Sequence, residues 1–332
     1  MRRLLLAAIV IITLILGLGG ADLYNFAHRE NRQSVAKIVT IANGSTLKNI
    51  AATLERQGVI SSRRRFVILN RLLGNSAGLK AGEYRIPPTT TPLEIIAILK
   101  SGVVVERRLS IPEGFTQKQI RARLAARKIC KPERFDQLCR DTAWLHQWRL
   151  PASGPEGYLF PSTYSFTRTT TCRQFLEKML TTGNRKWREI SSASPPSALT
   201  RHQVLTLASI IQKEAGNDDE MPLIASVFLN RLEKGMRLAS DPTTIYALGD
   251  DFDGNLRRRD LKNPSPYNTY QHKGLPPGPI CNPGASAIRA VLNPARTDYL
   301  YFVSRNNGRH QFSRTFKEHN RAVRKYQLKQ KR

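Results

Sequence analysis

The stretch "QVLTLASIIQKEAG", residues 203–216, has the periodicity of an amphipathic helix and carries one carboxylate, Glu214. On a helical wheel of about 100° per residue, Glu214 falls inside the apolar arc. That arc contains Val204, Leu207, Ile210, Ile211 and Ala215, and the opposite side contains Thr206, Ser209, Gln212 and Lys213. The pattern predicts a core helix with a charged residue on its buried face.

Two interpretations of Glu214 follow from this position. Burial disfavours the charged form of a carboxyl and raises its pKa, and a carboxylic acid with a raised pKa suits general acid catalysis near neutral pH. Alternatively, Ala215 and Gly216 end the helix and leave Glu214 in water at the helix end. The wheel leaves both interpretations open and favours the second.

The chain begins with a candidate membrane segment. Its 332 residues suffice for about two domains, and 40% hydrophobic residues are typical of a folded protein. Leu4–Ala21 is an uncharged run long enough to span a bilayer, preceded by Arg2 and Arg3. We predict an uncleaved transmembrane anchor over residues 1–22, with a cleavable signal peptide as the alternative. The two arginines predict a cytoplasmic N-terminus and a periplasmic remainder.

The formal net charge of +28 is spread over the chain, with basic clusters at residues 63–65, 257–259 and 324–332. Such a positive field attracts polyanions. Zinc-finger, helix-turn-helix and RNP-like aromatic patterns are all missing from the sequence, so we predict no nucleic-acid partner. With an anchor in place, anionic lipid headgroups and the carboxylates of the cell wall are the expected partners.

The four cysteines are Cys130, Cys139, Cys172 and Cys281, and none belongs to a C-x-x-C pair. This spacing argues against a metal site, and the sequence predicts no cofactor. In an oxidising compartment three connectivities are open for two disulfides. A bridge between Cys130 and Cys139 is the simplest to build, and four free thiols are equally admissible.

The region after the anchor reads as a small α/β module. "NFAHRENRQ", residues 25–33, is a polar connector, and residues 37–60 read as strand, turn and helix with Ser45 or Thr46 as the cap. "SRRRFVILNRLLG" and "TPLEIIAILKSG" predict two more helices, and "AGEYRIP" predicts a strand between them. The strand and helix beginning at Ile41 recur at Ile111 with a constant offset of 70 residues, which suggests two related units, with chance convergence on a capped amphipathic helix as the alternative.

Further along, residues 143–170 are rich in aromatic side chains, which favours a core seam over a sugar-stacking surface. "SDPTTIYAL" begins a helix with Ser240 or Asp241 as its cap. Residues 263–284 form a long Pro/Gly loop of the kind that often carries function. Helices are predicted on either side of this loop, followed by a strand and a final helix. The whole chain is therefore predicted to be α+β.

Four segments closely resemble the endolytic murein transglycosylase family, also called YceG-like. They are "LASIIQKEAG" (207–216), "ASVFLNRLEKGMRLASDPTTIYAL" (225–248), "SPYNTYQHKGLPPGPICNPGASAIRAVLNP" (265–294) and "YFVSRNNGRHQFSRTFKEHNRAV" (301–323). The resemblance covers nearly the whole chain. It implies an anchor over residues 1–22, a LysM-like module over 36–105 and a catalytic domain over 106–332, with core motifs at 203–325.

The resemblance implies a single-pass inner-membrane enzyme that cleaves nascent peptidoglycan strands internally, between N-acetylmuramic acid and N-acetylglucosamine. In this lytic reaction the muramyl 6-hydroxyl closes onto C1 and leaves a 1,6-anhydro end. One carboxylic acid therefore serves first as acid and then as base, where ordinary glycosidases need a pair. The catalytic glutamate of the family falls on Glu214.

The resemblance also suggests supporting residues. Substrate-binding roles are expected for Asn230, Arg231, Asp241, Tyr267, Asn268, Thr269, Tyr270 and Glu156. Asp241 is a candidate second acid, although a helix cap before Pro242 is the favoured interpretation. The four loop residues can bind sugar or only hold the loop. Glu156 matches a family motif in "GPEGYLFPSTYSF", but Ser162 stands where an aspartate is expected, which weakens a second acid in this segment.

The implied partners are peptidoglycan glycan strands and the inner membrane, with peptidoglycan synthases as further candidates. One rival interpretation is a non-enzymatic, membrane-anchored wall-binding or division-scaffold protein. Another is a membrane-tethered nucleic-acid binder, which rests on charge alone.

Overall fold

The computed structural model describes residues 2–75 and 78–328, which form two compact units. The first unit is Met1–Arg107 with Ser165–Thr169, and the second is Arg108–Tyr164 with Thr170–Arg332. Both units combine helices with two-stranded sheets, in agreement with the predicted α+β class. Met1 of the predicted anchor and residues 329–332 of the predicted basic tail lie outside the described residues.

The first unit combines two antiparallel strand pairs with helices. Its elements are α1 (Arg2–His28), β1 (Asn31–Arg32), β2 (Lys37–Ile41), α2 (Leu47–Arg56), α3 (Arg63–Leu72), β3 (Gly82–Ile86), β4 (Thr89–Thr90) and α4 (Pro92–Ser101). Strand β2 pairs with β3, and Val39 lies opposite Tyr84. Thr46 caps α2, and Thr91 with Glu94 forms a capping box on α4. These elements confirm the predicted strands and helices of the module.

Helix α1 combines an exposed apolar part with a buried end. Leu5–His28 is long and apolar enough to cross a membrane. Phe26 and Ala27 are buried in the hydrophobic core of the first unit. The prediction of a polar connector from residue 25 was therefore wrong at its start, because burial of these two side chains extends the helix to His28.

The second unit contains the predicted helix at residues 203–216. Its elements are β5 (Arg107–Ile111, of which Arg107 belongs to the first unit), α5 (Gln117–Ala126), α6 (Pro132–Arg140), α7 (Thr142–Gln147), β6 (Ser162–Phe166, of which Ser165 and Phe166 belong to the first unit), α8 (Cys172–Ser192), α9 (Arg201–Glu214), α10 (Met221–Glu233), α11 (Asp241–Leu248), α12 (Ala285–Leu292), β7 (Tyr301–Ser304), β8 (His310–Ser313) and α13 (Phe316–Val323). Helix α9 packs against α10, α11 and α12, and α12 also contacts α8. The predicted helix at residues 203–216 is thus the centre of a helical core.

The predicted polar side of α9 is wrong at two positions. All eight residues from Val204 to Ile211 are buried, including Thr206 and Ser209. The Thr206 hydroxyl donates to the His202 carbonyl at 2.8 Å, and the Ser209 hydroxyl donates to the Thr206 carbonyl at 2.7 Å. Because these backbone oxygens satisfy the hydroxyls, both residues fit a core position.

The internal repeat extends further than the sequence comparison indicated. The bounds of β2 and α2 recur 70 residues later as β5 and α5, and the bounds of β3 recur 80 residues later as β6. In both copies a tyrosine hydroxyl, of Tyr84 or Tyr164, donates to the carbonyl four residues earlier. A threonine capping box then begins α4 in the first copy and α8 in the second. The change of offset reflects inserted residues that include α7.

The aromatic segment confirms the core interpretation. Trp144, Tyr158, Tyr164 and Phe166 are all buried, with at most 7% of their surface exposed. These side chains stabilise the fold rather than present a stacking surface.

A disulfide joins Cys130 to Cys172, with 4.8 Å between the Cα atoms. The favoured pairing of Cys130 with Cys139 was wrong. Cys130 precedes α6, whereas Cys139 lies in the last turn of that helix. Because a helix rises about 1.5 Å per residue, α6 holds the two residues apart, and a bridge requires Cα atoms within about 7 Å. Cys139 and Cys281 are buried free thiols.

Candidate active site

Glu214 is the last residue of α9, where the helix leaves the core. Its Oε1 atom accepts a hydrogen bond of 2.5 Å from the Ser240 hydroxyl. The side chain keeps a partly exposed surface, yet burial raises the pKa of Glu214 to about 7. The nearby negative charge of Asp241 acts in the same direction, whereas the Ser240 hydrogen bond and the positive charge of Arg231 lower this pKa. The predicted desolvation of this carboxyl is therefore present.

Asp241 contacts a tyrosine rather than a helix end. Its Oδ1 atom accepts from the Tyr270 hydroxyl at 2.6 Å. Ser240 occupies the N-cap position of α11, but no side chain bonds the free backbone N–H groups there. The favoured interpretation of Asp241 as a helix cap was therefore wrong. Asp241 instead supplies a negative charge beside Glu214 and orients Tyr270.

Arg231 and Asn230, at the end of α10, bind backbone oxygens. Arg231 donates to the carbonyls of Leu300 and Leu238, and its guanidinium lies 5.4 Å from the centre of the Tyr301 ring. The Asn230 side-chain nitrogen donates to two carbonyls of the segment before β7, at 2.8 and 3.0 Å. Both residues hold the chain around Glu214, and substrate contact by either one stays a prediction.

Two of the four predicted loop residues lie beneath the surface. Asn268 is 0% exposed and Thr269 is 1% exposed. The Asn268 side chain bonds the loop backbone and the Thr244 hydroxyl, and Thr269 Oγ1 accepts from the Ser240 backbone N–H. Because a buried side chain does not touch a glycan, we correct the predicted sugar contact of these two residues to a positioning role. Tyr267 and Tyr270 remain partly exposed.

A cavity of about 750 Å³ adjoins this site. Glu156, Tyr246, Tyr267 and Asp250 line it, together with Lys213 and Pro242, which are the chain neighbours of Glu214 and Asp241. The rings of Tyr246 and Tyr267 have centres 5.0 Å apart. Glu214 itself is outside the lining. The cavity therefore provides an aromatic and charged surface beside Glu214.

Glu156 ties three segments of the second unit together. Its two carboxylate oxygens accept from the Gln117 backbone N–H at 3.0 and 2.9 Å, and Oε1 accepts from the Asn282 side chain at 2.8 Å. Asn282 also donates to the Phe115 carbonyl. Burial raises the pKa of Glu156 to about 7, although the backbone hydrogen bonds act against this shift. These contacts explain Glu156 as a structural residue whose carboxyl also lines the cavity.

The roles of Ser240 and Asn282 were not predicted from the sequence. The signal for Ser240 was its place at a helix start, which a capping interpretation fully explained. The signal for Asn282 was only its place in the long Pro/Gly loop. In both cases the partner carboxylate is distant in sequence, at Glu214 or Glu156.

Gly216 fixes the chain immediately after Glu214. A Cβ atom on Gly216 would lie 2.7 Å from the backbone oxygen of Gly308, in the turn between β7 and β8. Asn217 donates from its side chain to this same oxygen at 2.9 Å. The close approach of two backbones holds the end of α9 against the hairpin.

If Glu214 is the catalytic acid, Gly216→Ala is expected to lower kcat by about tenfold to a hundredfold, because even a 1 Å displacement of a catalytic group has effects of this size. The added methyl group has to push the Gly308 backbone away and shift Glu214. Steady-state kinetics with glycan strands measure the change. Gly78→Ala is the matched control, because a Cβ atom there meets only Lys100 at 3.9 Å. Equal kcat values for the two variants would contradict this role of Gly216.

The site as a whole defines a class of protein. A partly exposed carboxyl with a pKa near 7, supported by a hydroxyl group and a second carboxylate, is typical of enzymes that use acid–base catalysis. Comparison with known proteins adds the particular family. The chain belongs to the YceG-like family, whose model matches residues 39–325.

Curated relatives carry one activity in their names. A protein named endolytic murein transglycosylase from Bacillus subtilis (strain 168) is 35% identical over 328 residues, which cover 93% of this chain and 91% of that protein. A protein of the same name from Streptococcus pneumoniae serotype 2 is 30% identical over 86% of this chain, but the match spans 57% of its own length. A crystal structure of a yceG-like protein from Listeria monocytogenes matches with a TM-score of 0.59 and 34% identity, covering 87% of this chain and 99% of that one.

Proposed function

We propose that this chain is an endolytic lytic transglycosylase of peptidoglycan with Glu214 as its single acid and base. The chain shares its family and most of its length with relatives named for this activity. The observation that carries the proposal is the state of Glu214, which is held by Ser240 and has a pKa raised to about 7. Such an acid is protonated at the start of the reaction near neutral pH and can later accept a proton.

The reaction balances with one carboxyl group. Protonated Glu214 gives its proton to the glycosidic oxygen as the bond from that oxygen to C1 of N-acetylmuramic acid breaks. The muramyl 6-hydroxyl then forms a bond from O6 to C1 and returns its proton to Glu214. Each turnover therefore restores the acid and leaves a 1,6-anhydro end, with no water consumed.

Ser240 and Asp241 shift the pKa of Glu214 in opposite directions. The Ser240 hydroxyl donates to the charged form of Glu214, and the negative charge of Asp241 opposes that form. Together they set the proton affinity that both steps need. Tyr270, bonded to Asp241, lies at the partly exposed edge of the same group and is a candidate for contact with the sugar.

The glycan strand is proposed to lie along the cavity beside Glu214. The paired rings of Tyr246 and Tyr267 provide an apolar surface for a sugar, and Lys213 and Glu156 provide polar groups. Asn230 and Arg231 are proposed to act through the backbone that they hold, with direct substrate contact as the finer prediction.

The first unit is proposed to anchor the enzyme to the inner membrane. Residues 36–105 are proposed to form a LysM-like module, which the compact α/β architecture of the unit supports. Helix α1 is proposed as a single transmembrane anchor with its N-terminus in the cytoplasm, which the paired arginines Arg2 and Arg3 support. The second unit is then periplasmic, where peptidoglycan synthases are candidate partners.

Product analysis of the wild-type chain tests the function directly. Purified full-length protein in detergent is incubated with uncrosslinked glycan strands, and the products are identified by mass spectrometry. We expect new ends with 1,6-anhydro-N-acetylmuramic acid, produced inside the strands. Hydrolysed ends would contradict the lytic mechanism. Binding of strands without any new ends would favour the scaffold alternative.

Opposite shifts in pH dependence test the surroundings of Glu214. We expect kcat/KM of the wild type to fall about tenfold per pH unit above a pH of about 7, since the free enzyme needs the protonated acid. Asp241→Asn removes a negative charge that raises the Glu214 pKa, so this limb moves to lower pH. Ser240→Ala removes a hydrogen bond that lowers the pKa, so the limb moves to higher pH. Shifts in the same direction for both variants would contradict this arrangement.

A further inference from the structure

A basic groove lies between α2 and α3 in the first unit. It encloses about 450 Å³ and is lined by Lys48, Asn49, Ala52, Arg63, Arg64, Val67 and Ile68. Three of these residues carry positive charge and none carries negative charge. The groove therefore combines an apolar floor with a cationic rim, the combination that an anionic lipid headgroup and the start of its acyl chains require.

The exposed side of α3 continues this character. Phe66 and Leu69 face the core, whereas Ile68 is 50% exposed and Leu72 is 73% exposed. Arg64 and Arg71 are exposed on the same side of the helix, at the spacings of three and four residues that place side chains together. The outer stripe of α3 is thus both basic and apolar, as in helices that lie at a membrane surface.

An ion pair places the start of α3 beside the end of the apolar run. Arg65 Nε lies 2.8 Å from Asp22 Oδ2, and Asp22 is the first charged residue after the run that ends at Ala21. Helix α1 also packs directly on α3 and α4. Since the headgroup layer is several ångströms thick on each side of the hydrocarbon core, residues paired with Asp22 lie at that layer when α1 spans a bilayer.

The charges around the groove are not fully neutralised within the unit. Arg63 has one acidic neighbour, with its Nε atom 3.7 Å from Glu55 Oε2. Asp22 pairs with Arg65 on the other side of α3. Among the described residues of the first unit, neither Lys48 nor Arg64 forms an ion pair, and both side chains are exposed.

We propose that the groove formed by Lys48, Arg63, Arg64, Val67 and Ile68 binds the headgroup of an anionic phospholipid in the membrane that holds α1. This inference rests on the proposed role of α1 as the anchor. Charge complementarity favours a lipid of this membrane over a glycan strand, and so does the place of the groove on α3, whose Arg65 pairs with Asp22 at the end of the apolar run. Through this groove the first unit contacts the membrane and binds anionic lipids in preference to neutral ones.

Lipid binding by the full-length chain tests the proposal. The protein is kept in zwitterionic detergent micelles and titrated with phosphatidylglycerol or phosphatidylcholine, and bound lipid is counted by native mass spectrometry. We expect at least a tenfold preference for phosphatidylglycerol. The triple variant Lys48→Gln, Arg63→Gln, Arg64→Gln is expected to weaken phosphatidylglycerol binding about a hundredfold, at about fivefold for each cation near an anionic headgroup.

The matched control removes three other positive charges, through Arg257→Gln, Arg258→Gln and Arg259→Gln. In that cluster Arg257 is paired with Asp253 and Arg259 with Asp260, so its lipid affinity is expected to equal that of the wild type. Equal losses in both triple variants, or no preference in the wild type, would overturn the proposal. A groove variant that loses glycan binding but keeps phosphatidylglycerol binding would also overturn it, in favour of a glycan-binding groove.

Two further measurements separate this inference from the proposed catalysis. Release of anhydro ends from soluble strands is expected to be unchanged in the groove variant, since its substitutions lie in the first unit only. Thermal unfolding of the groove variant shows whether its substitutions disturb folding. If they do, the single variant Ile68→Ser, which leaves all charges in place, tests the site instead and is expected to weaken lipid binding severalfold. Unchanged binding in Ile68→Ser would refute the apolar floor of the site. If the wild type lacks lytic activity but keeps the lipid preference, only the proposed function fails.

Discussion

Glu214→Gln is expected to reduce the release of anhydro ends by about a thousandfold or more while the protein remains folded. General acid–base groups contribute factors of about 10² to 10⁴, and here one group serves in both steps. The amide of glutamine accepts from the Ser240 hydroxyl as the carboxyl does, so the local geometry is retained. Single-turnover rates on defined glycan strands, followed by mass spectrometry of the products, measure the loss.

The same substitution is expected to stabilise the protein above pH 7. The pKa of Glu214 rises from 4.5 to about 7 on folding, so the folded state binds its proton more tightly than the unfolded state. The free energy of unfolding therefore falls as the pH rises from about 4.5 to about 7 and is constant above that range. Glutamine does not ionise, and the variant gains at most about 3 kcal/mol over the wild type at pH 8.

Glu233→Gln is the matched control, since Glu233 ends α10 as Glu214 ends α9, but its side chain is exposed. This control is expected to keep full activity and to leave the unfolding temperature at pH 8 unchanged. Full lytic activity of Glu214→Gln would remove Glu214 from the mechanism. A lower unfolding temperature of that variant at pH 8 would contradict the raised pKa.

Removal of the Cys130–Cys172 bridge is expected to lower the free energy of unfolding by about 4 kcal/mol. The bridge closes a segment with a sequence separation of 42 residues, which includes α6, α7 and β6, and a loop of this length gives an effect of that size through the entropy of the unfolded chain. It also joins the connection between α5 and α6 to the first residue of α8. Chemical denaturation of the Cys130→Ser, Cys172→Ser double variant measures the loss.

Reduction of the wild type provides the control for this prediction. A reducing agent is expected to lower the denaturation midpoint of the wild type and to leave that of the double variant unchanged. The remaining thiols, Cys139 and Cys281, are buried, and burial raises the pKa of the Cys139 thiol to about 12, so neither thiol reacts readily while the protein is folded. Equal stability of oxidised and reduced wild type would contradict a stabilising role for the bridge.

Local patterns predicted much of the fold. The apolar periodicity placed α9 and α4, and the predicted cap at Ser45 or Thr46 placed the start of α2, because these signals depend only on neighbours in sequence. Helix α8, 21 residues long, was not assigned, although Thr171 and Gln174 form a capping box. The second half of the repeat, which includes α8, has an offset of 80 residues instead of 70 because of the insertion that contains α7. A comparison at a constant offset therefore does not detect it.

Of the site residues, the helical pattern indicated Glu214, and the family resemblance indicated its neighbours Asp241, Arg231 and Tyr270, whereas Ser240 was missed. The raised pKa of Glu214 depends on Ser240 and Asp241, which reach it only after α11 packs against α9. Asn268 and Thr269 look like exposed loop residues in the sequence, yet both are buried, because Asn268 bonds the backbone of the loop and Thr269 accepts from the Ser240 backbone N–H. Whether a residue binds substrate or supports the backbone depends on tertiary contacts of this kind, and no local sequence pattern indicates them.

The two copies of the repeat place the same turn in different surroundings. Gly44 and Gly114 occupy the same turn, with φ angles of 74° and 75°. Around Gly44 the turn faces solvent, and an added Cβ atom meets nothing within 4 Å. Around Gly114 the same turn is locked to α9, since its carbonyl accepts from Lys213 and its N–H donates to the Asn282 carbonyl. Sequence drift and loop insertions should therefore accumulate freely at the first turn among relatives, whereas the second turn should stay constant in length wherever Glu214 is retained.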